Sequence, residues 1–262
     1  MYGMYMTRVT SANYGTWLFH LCVVNIAMTA ALTLIYHTYN YLWIFLFSGV
    51  MLSLLEYVMV KKGARTSRMF VYGKLVSPLT DSFVKGVAEG PSLCVPALYA
   101  ADQLVQGHYL IGILVPCAIL LLWSLYWALA EVRGFKQLKS DEKPIINRRW
   151  INKPEPLFVI GIVNLIVAVS VASMNEAARP HAIYFMIMFF VILQVFFIVH
   201  AYFGVRRIDR YDPETKVFAP STRRFTVIGY TFDSIFEMSV LNTPYYLIPY
   251  ALGLITVPAL TG

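Results

Sequence analysis

The chain has 262 residues, of which 58% are hydrophobic and only 13% charged, and its mean hydropathy is +0.62. A soluble domain sits near half apolar and a quarter charged, so this composition argues against one and predicts a polytopic membrane protein. The net charge of +7 comes with no nucleic-acid recognition motif, which argues against DNA or RNA as a partner.

A bilayer core needs about 20 apolar residues per helix. In chain order, runs of that kind predict about seven spans, at roughly 16–36, 41–60, 80–104, 108–130, 157–174, 182–204 and 229–258. The expected fold is therefore an all-α polytopic membrane protein. The first run is longer than a signal-peptide core and no small-residue cleavage site follows it, so it reads as a retained span. Basic residues gather after the second run (Lys61, Lys62, Arg65, Arg68, Lys74), after the fourth (Arg133, Lys136, Lys139, Arg148, Arg149) and after the sixth (Arg206, Arg207, Arg210, Arg223, Arg224). The positive-inside rule places these segments and the N-terminus in the cytoplasm. Cys22, Cys94 and Cys117 lie in apolar runs without metal spacing or a disulfide pattern.

An internal repeat organises the runs. "VVNIAMTAAL" (23–32) resembles "IVNLIVAVSV" (162–171), with Asn25 and Asn164 in register. "EYVMVKK" (56–62) resembles "AYFGVRR" (201–207), and "DSFVKGVAEGPSLCVPALY" (81–99) resembles "DSIFEMSVLNTPYYLIPYAL" (233–252). The order of the three pairs predicts a three-helix repeat at 1–107 and a second at 157–262. A linker helix and cytoplasmic loop at 108–156 would join them. Parallel repeats of this type place ligand sites between the halves.

Ionisable groups inside spans are costly and are candidate functional groups by default. Asp81, Lys85 and Glu89 share a helical stripe, and Lys85 balances one of the two acids. Asp233 and Glu237 form an i, i+4 pair without a lysine, so one of them is expected to hold a proton and act as a general acid. Asp81, Glu89, Asp233 and Glu237 are thus the catalytic candidates. Glu56, Asn25, Asn164, Asn242 and His200 are candidate substrate contacts. Trp123, Trp127 and Tyr246 are candidate cavity aromatics, which would stabilise a developing cation. The scattered histidines show no zinc or diiron spacing, and no glycine-rich phosphate loop is present, so no metal and no cofactor is expected.

"AEGPSLCVPALYAA" (88–101) resembles the Glu-Gly-Pro helix of the emopamil-binding protein superfamily, EXPERA. "SVLNTPYYLIPYALGLI" (239–255) resembles that family's last helix. The resemblance implies a helical bundle of the endoplasmic reticulum with a membrane-buried pocket for a flat lipophilic molecule. It also implies isomerase chemistry begun by carboxylic-acid protonation. The family's acidic residue about eight positions before Gly-Pro falls on Ser82 here, beside Asp81, and its His-x-x-x-Glu element has no match. In layout the chain is also similar to the membrane-integral meroterpenoid cyclases, with Glu56 and Asp233 placed like their acids. The expectation is an isomerase or cyclase of a sterol-like or isoprenoid lipid. The alternatives are a lipid-binding or assembly subunit of a membrane complex or homo-oligomer, and a small-solute transporter with a three-one-three repeat.

Overall fold

The computed structural model describes residues 3–136, 144–150 and 154–258. The cytoplasmic loop expected at the end of the 108–156 linker falls partly outside these residues, as does Lys139. Among the described residues seven long helices overlap the predicted runs: α1 (Tyr14–Tyr36), α2 (Asn40–Lys61), α3 (Pro78–Val105), α4 (Tyr109–Lys136), α5 (Pro154–Ser173), α6 (Ala178–Tyr202) and α7 (Arg223–Asn242), the last ending sixteen residues before the predicted 229–258 run does. After α7 the chain makes a π-turn at Thr243–Leu247 and a last short turn, α8 (Ile248–Ala251). Pro244 lies within that π-turn and Pro249 opens α8, where regular α-helical hydrogen bonding would need N–H groups that proline lacks.

Among the described residues four helices, α1, α2, α4 and α6, are long and apolar enough to cross a membrane. Only 22% of the apolar window of α1, and the same share of α2, is buried inside the protein. Val23, Val24, Leu34, Ile35, Val50 and Leu54 all point outward. Such a helix, apolar all round and uncovered on one side, matches a lipid solvent rather than water.

The all-α expectation is corrected by a sheet. Strands β1 (Gly3–Thr10), β4 (Ile145–Trp150), β5 (Arg206–Asp212) and β6 (Val217–Pro220) form one antiparallel sheet in the order β4-β1-β5-β6. A separate two-stranded hairpin, β2 (Phe70–Val71) and β3 (Lys74–Leu75), joins α2 to α3. The strands come from the N-terminus and from the connections α4–α5 and α6–α7, so sheet and hairpin lie at one end of the bundle. The connections at the other end are short turns. Parts of the basic segments are therefore ordered strands, with Lys74 in β3, Arg148 and Arg149 in β4, and Arg206, Arg207 and Arg210 in β5. The 64–68 segment runs along β4: Asn147 Oδ1 accepts from the Arg68 N–H at 2.9 Å, and Arg65 forms a β-bridge with Arg149.

Helix α3 is the buried axis of the bundle, packed on α1, α2, α4 and α6. Its start is set by Ser77, whose Oγ accepts from the Thr80 N–H at 3.1 Å, with Pro78 in the first turn. Pro91 inside the helix cannot donate to the Val87 carbonyl four residues back. Asn25 on α1 supplies the missing donor, with its Nδ2 3.1 Å from Val87 O and 2.7 Å from Ala88 O. The matched Asn164 on α5 is half-buried.

Small residues bring α2 and α3 into backbone contact, the close packing that apolar helices use in place of a hydrophobic driving force. A Cβ on Gly86 would overlap the Ser53 hydroxyl, and one on Gly90 would meet the Ser48 carbonyl at 2.7 Å. Gly90→Val is therefore expected to destabilise the protein by about 1–3 kcal/mol. Gly63→Val is the comparison, because no atom lies within 4 Å of a Cβ there and its cost would come from its positive φ alone. Thermal unfolding in detergent checks both, together with the loss of α2–α3 protection in hydrogen exchange that only Gly90→Val predicts.

Candidate functional site

Between α2, α3, α4, α6 and α7, beneath the inner face of the sheet, lies a cavity of about 640 Å3. Its body is apolar and aromatic, with Trp123 and Trp127 from α4, Phe189 and Phe196 from α6 and Tyr245 from the π-turn. Leu55, Trp150, Val159 and Phe232 line it while also being exposed outside. It therefore reaches the bundle surface between α2 and the α5–α7 pair, near the sheet.

The end under the sheet is polar and built from opposed charges. Alternation along a strand puts every second side chain on one face, so Met6 and Arg8 of β1, Arg149 of β4 and Arg206 and Ile208 of β5 share the inner face. Arg8 grips Glu89 of α3 with two guanidinium nitrogens, at 2.6 and 3.2 Å, and the Tyr14 hydroxyl donates to the same carboxylate at 2.9 Å. Arg149 reaches α7, donating to Asp233 at 2.5–2.6 Å and to Glu237 at 3.0 Å. Arg65 pairs with Glu56 of α2. Burial opposes the charge on Arg149, but Asp233 and Glu237 outweigh it and push its pKa up. For Arg65 the balance goes the other way: burial, reinforced by the Arg8 charge, pushes it down to about 9. Arg8 is lowered by burial first and then by Arg206. The outer face of the sheet has its own acid, Asp209, which accepts from Thr7 at 2.9 Å, Arg207 at 2.9 Å and Arg148 at 3.4 Å.

A second polar network lies at the opposite end of the bundle. Asp102 of α3 accepts from the Tyr41 hydroxyl at 2.6 Å and pairs with His181 Nε2 at 2.8 Å. His181 Nδ1 is 2.6 Å from the Tyr246 hydroxyl. All four side chains are buried, and none lines the cavity.

Of the sequence-predicted residues, Glu56, Glu89, Asp233, Glu237, Trp123 and Trp127 all line the one cavity. The expectation that Asp233 and Glu237 lack a cation is corrected: Arg149 lies against both. Asp81 does not reach the cavity. Lys85 pairs with it at 2.7 Å and also donates to Ser67 at 2.6 Å, which ties α3 to the preceding loop. Asn25 serves the α3 backbone as described above. Asn242 is buried with no hydrogen-bond partner among the described residues, and it is outside the lining. His200 sits behind the wall, its ring 4.9 Å from Trp127 and 4.1 Å from Phe196, with neither nitrogen bonded. Tyr246 belongs to the far network, and its neighbour Tyr245 lines the cavity with an unbonded hydroxyl.

Sequence reasoning read Arg65, Arg149 and Arg206 only as markers of topology and passed over Arg8 altogether. It also passed over Tyr14, Asp102, His181 and Glu131. Glu131 is fully buried on α4 and accepts from the Ser11 backbone N–H at 2.5 Å. One signal was available: each inner-face arginine stands two positions from another inward residue, as in Met6-x-Arg8, Asn147-x-Arg149 and Arg206-x-Ile208. That is strand alternation. No metal-holding group of His, Cys, Asp and Glu occurs among the described residues. Comparison of the chain with protein-family models, with curated proteins and with solved structures finds no match.

Proposed function

We propose that this chain is a multi-pass integral membrane protein that binds an amphiphilic lipid of isoprenoid or sterol-like shape, its body among the aromatic walls and its polar end under the sheet. The cavity carries this reading. It is apolar over most of its lining, it has a charged end, and it opens on a flank of the bundle whose outward residues are apolar. All seven helices alternate in direction, and α3 and α7 are shielded enough by their neighbours to cross the bilayer despite their charges. With the basic strands in the cytoplasm the N-terminus lies there too. The reciprocal packing of α3 on α6 and of the π-turn on α2 supports the duplicated-unit reading. The far Asp102–His181 network closes the end opposite the sheet, which favours a binding chamber over a transport path.

Val240 lines the chamber. Val240→Trp is expected to weaken binding of a lipid such as farnesol by at least about tenfold, because it fills space the ligand needs. Native mass spectrometry on detergent-purified protein reads this, with thermal unfolding as the folding control. Unchanged binding in a folded variant would remove the cavity as the site.

A second reading is favoured by the placement of Glu89, Asp233 and Glu237 beside aromatic faces: acid-initiated isomerisation or cyclisation of the bound lipid. Here the carboxylates are held by Arg8 and Arg149, so proton delivery requires one of these pairs to open. Incubation with a bound isoprenoid in deuterated water tests it. Deuterium in the recovered lipid, lost in Asp233→Asn, supports catalysis, and recovery of unlabelled lipid leaves binding alone.

A further inference from the structure

The charges under the sheet are matched in number but not in place. Arg8, Arg65 and Arg149 each have a carboxylate, and Arg149 has two. Arg206 has none among the described residues. Its guanidinium lies over the rings of Phe196 and Phe197, at 4.8 and 4.9 Å, and it lines the cavity. In the strand register Arg206 is the direct partner of Arg8. Like charges directly opposite on one face of an antiparallel pair repel, and here both face a mostly apolar chamber. Glu89 bonds Arg8 and Tyr14; its charge also reaches Arg206, but no hydrogen bond joins them among the described residues.

We infer that Arg206, with Arg8 beside it, is the receptor for a phosphate group at the polar end of the cavity, carried as the headgroup of the bound lipid. A guanidinium fork matches phosphate oxygens geometrically, and two arginines facing one anion convert mutual repulsion into shared attraction. The aromatic shelf of Phe196 and Phe197 holds the Arg206 plane in position before the ligand arrives. Burial and the neighbouring Arg206 charge both push Arg8 down, as expected for a cation pair awaiting an anion. The inference rests on the amphiphile reading of the cavity and adds the chemistry of the head.

The test uses the full chain in detergent micelles, with farnesyl phosphate, farnesol and inorganic phosphate as probes, read by native mass spectrometry and ligand-induced shifts in thermal unfolding. Farnesyl phosphate is expected to bind at least about tenfold more tightly than farnesol. Arg206→Gln should abolish that preference, and Arg206→Lys should keep part of it. Equal binding of the two lipids by the unsubstituted protein overturns the phosphate head and leaves the lipid reading standing. Binding of neither overturns both. A preference that survives Arg206→Gln also overturns the assignment. Stabilisation by inorganic phosphate that requires Arg206, without any advantage of farnesyl phosphate over farnesol, keeps the anion site but makes free phosphate its ligand. If Arg206→Gln does not fold, Arg206→Lys decides: a preference reduced at least about threefold sustains the proposal, and an unchanged one overturns it.

Discussion

Arg149→Met is expected to lower the stability of the purified protein by about 3–5 kcal/mol, the cost of removing one partner from a buried ion pair. The reason is geometric. Arg149 is the bond between β4 and α7, and its loss leaves the buried Asp233 and the half-buried Glu237, one helical turn apart, as two unpaired carboxylates facing a low-dielectric chamber. Met keeps the length and apolar contact of the side chain, so lost packing contributes little. The triple substitution Arg149→Met, Asp233→Asn, Glu237→Gln removes the uncompensated charge along with the cation and should recover at least half of the loss. Thermal and denaturant unfolding in one detergent compare the three proteins. A triple variant as unstable as Arg149→Met would show that the arginine matters through its packing and its contact with Met6 rather than through charge.

The helices of this fold were legible and the sheet was not, for one physical reason. A span reveals itself within 20 contiguous residues, whereas β1 is a strand because it pairs with 145–150 on one side and 206–211 on the other. No local window contains that pairing. The same reason divides the site. Glu56, Glu89, Asp233 and Glu237 were conspicuous because a carboxylate in an apolar helix is costly and needs an explanation. Their cationic partners come from strands and from the 64–68 segment, where an arginine is cheap and reads as topology. Hence Asp233 and Glu237 looked uncompensated when Arg149 was holding both. Asn25 was misread for the same reason: an amide in an apolar run looked like a substrate contact, whereas it fills the Val87 carbonyl that Pro91, distant in sequence, leaves without a donor.

Asp102 was overlooked because it falls in the last turns of α3, where a carboxylate at a helix end is ordinarily solvated, yet it is the hub of the far network. An ionised carboxylate only accepts, so it takes the Tyr41 O–H on one oxygen and the His181 Nε2–H on the other. Nδ1 of a neutral His181 is then left as an acceptor, and the Tyr246 hydroxyl donates to it. The chain of donors thus fixes α2, α3, α6 and the π-turn to one another at the end of the bundle that lacks the sheet. Asp102→Ala strands two buried donors, each of whose charge-assisted bonds contributes about 1.5–3 kcal/mol, so a loss of about 3–5 kcal/mol is expected. Tyr246→Phe, at the end of the chain of donors, should cost only about 1 kcal/mol. Combined with Asp102→Ala it should add almost nothing, because His181 has by then lost the partner that set its tautomer. Unfolding of the two single variants and the double variant measures that coupling. Farnesol binding to Tyr246→Phe should remain near normal, since the network and the chamber share no side chain. A Tyr246→Phe protein that is stable but has lost lipid binding would show that the two ends are coupled through the neighbouring Tyr245.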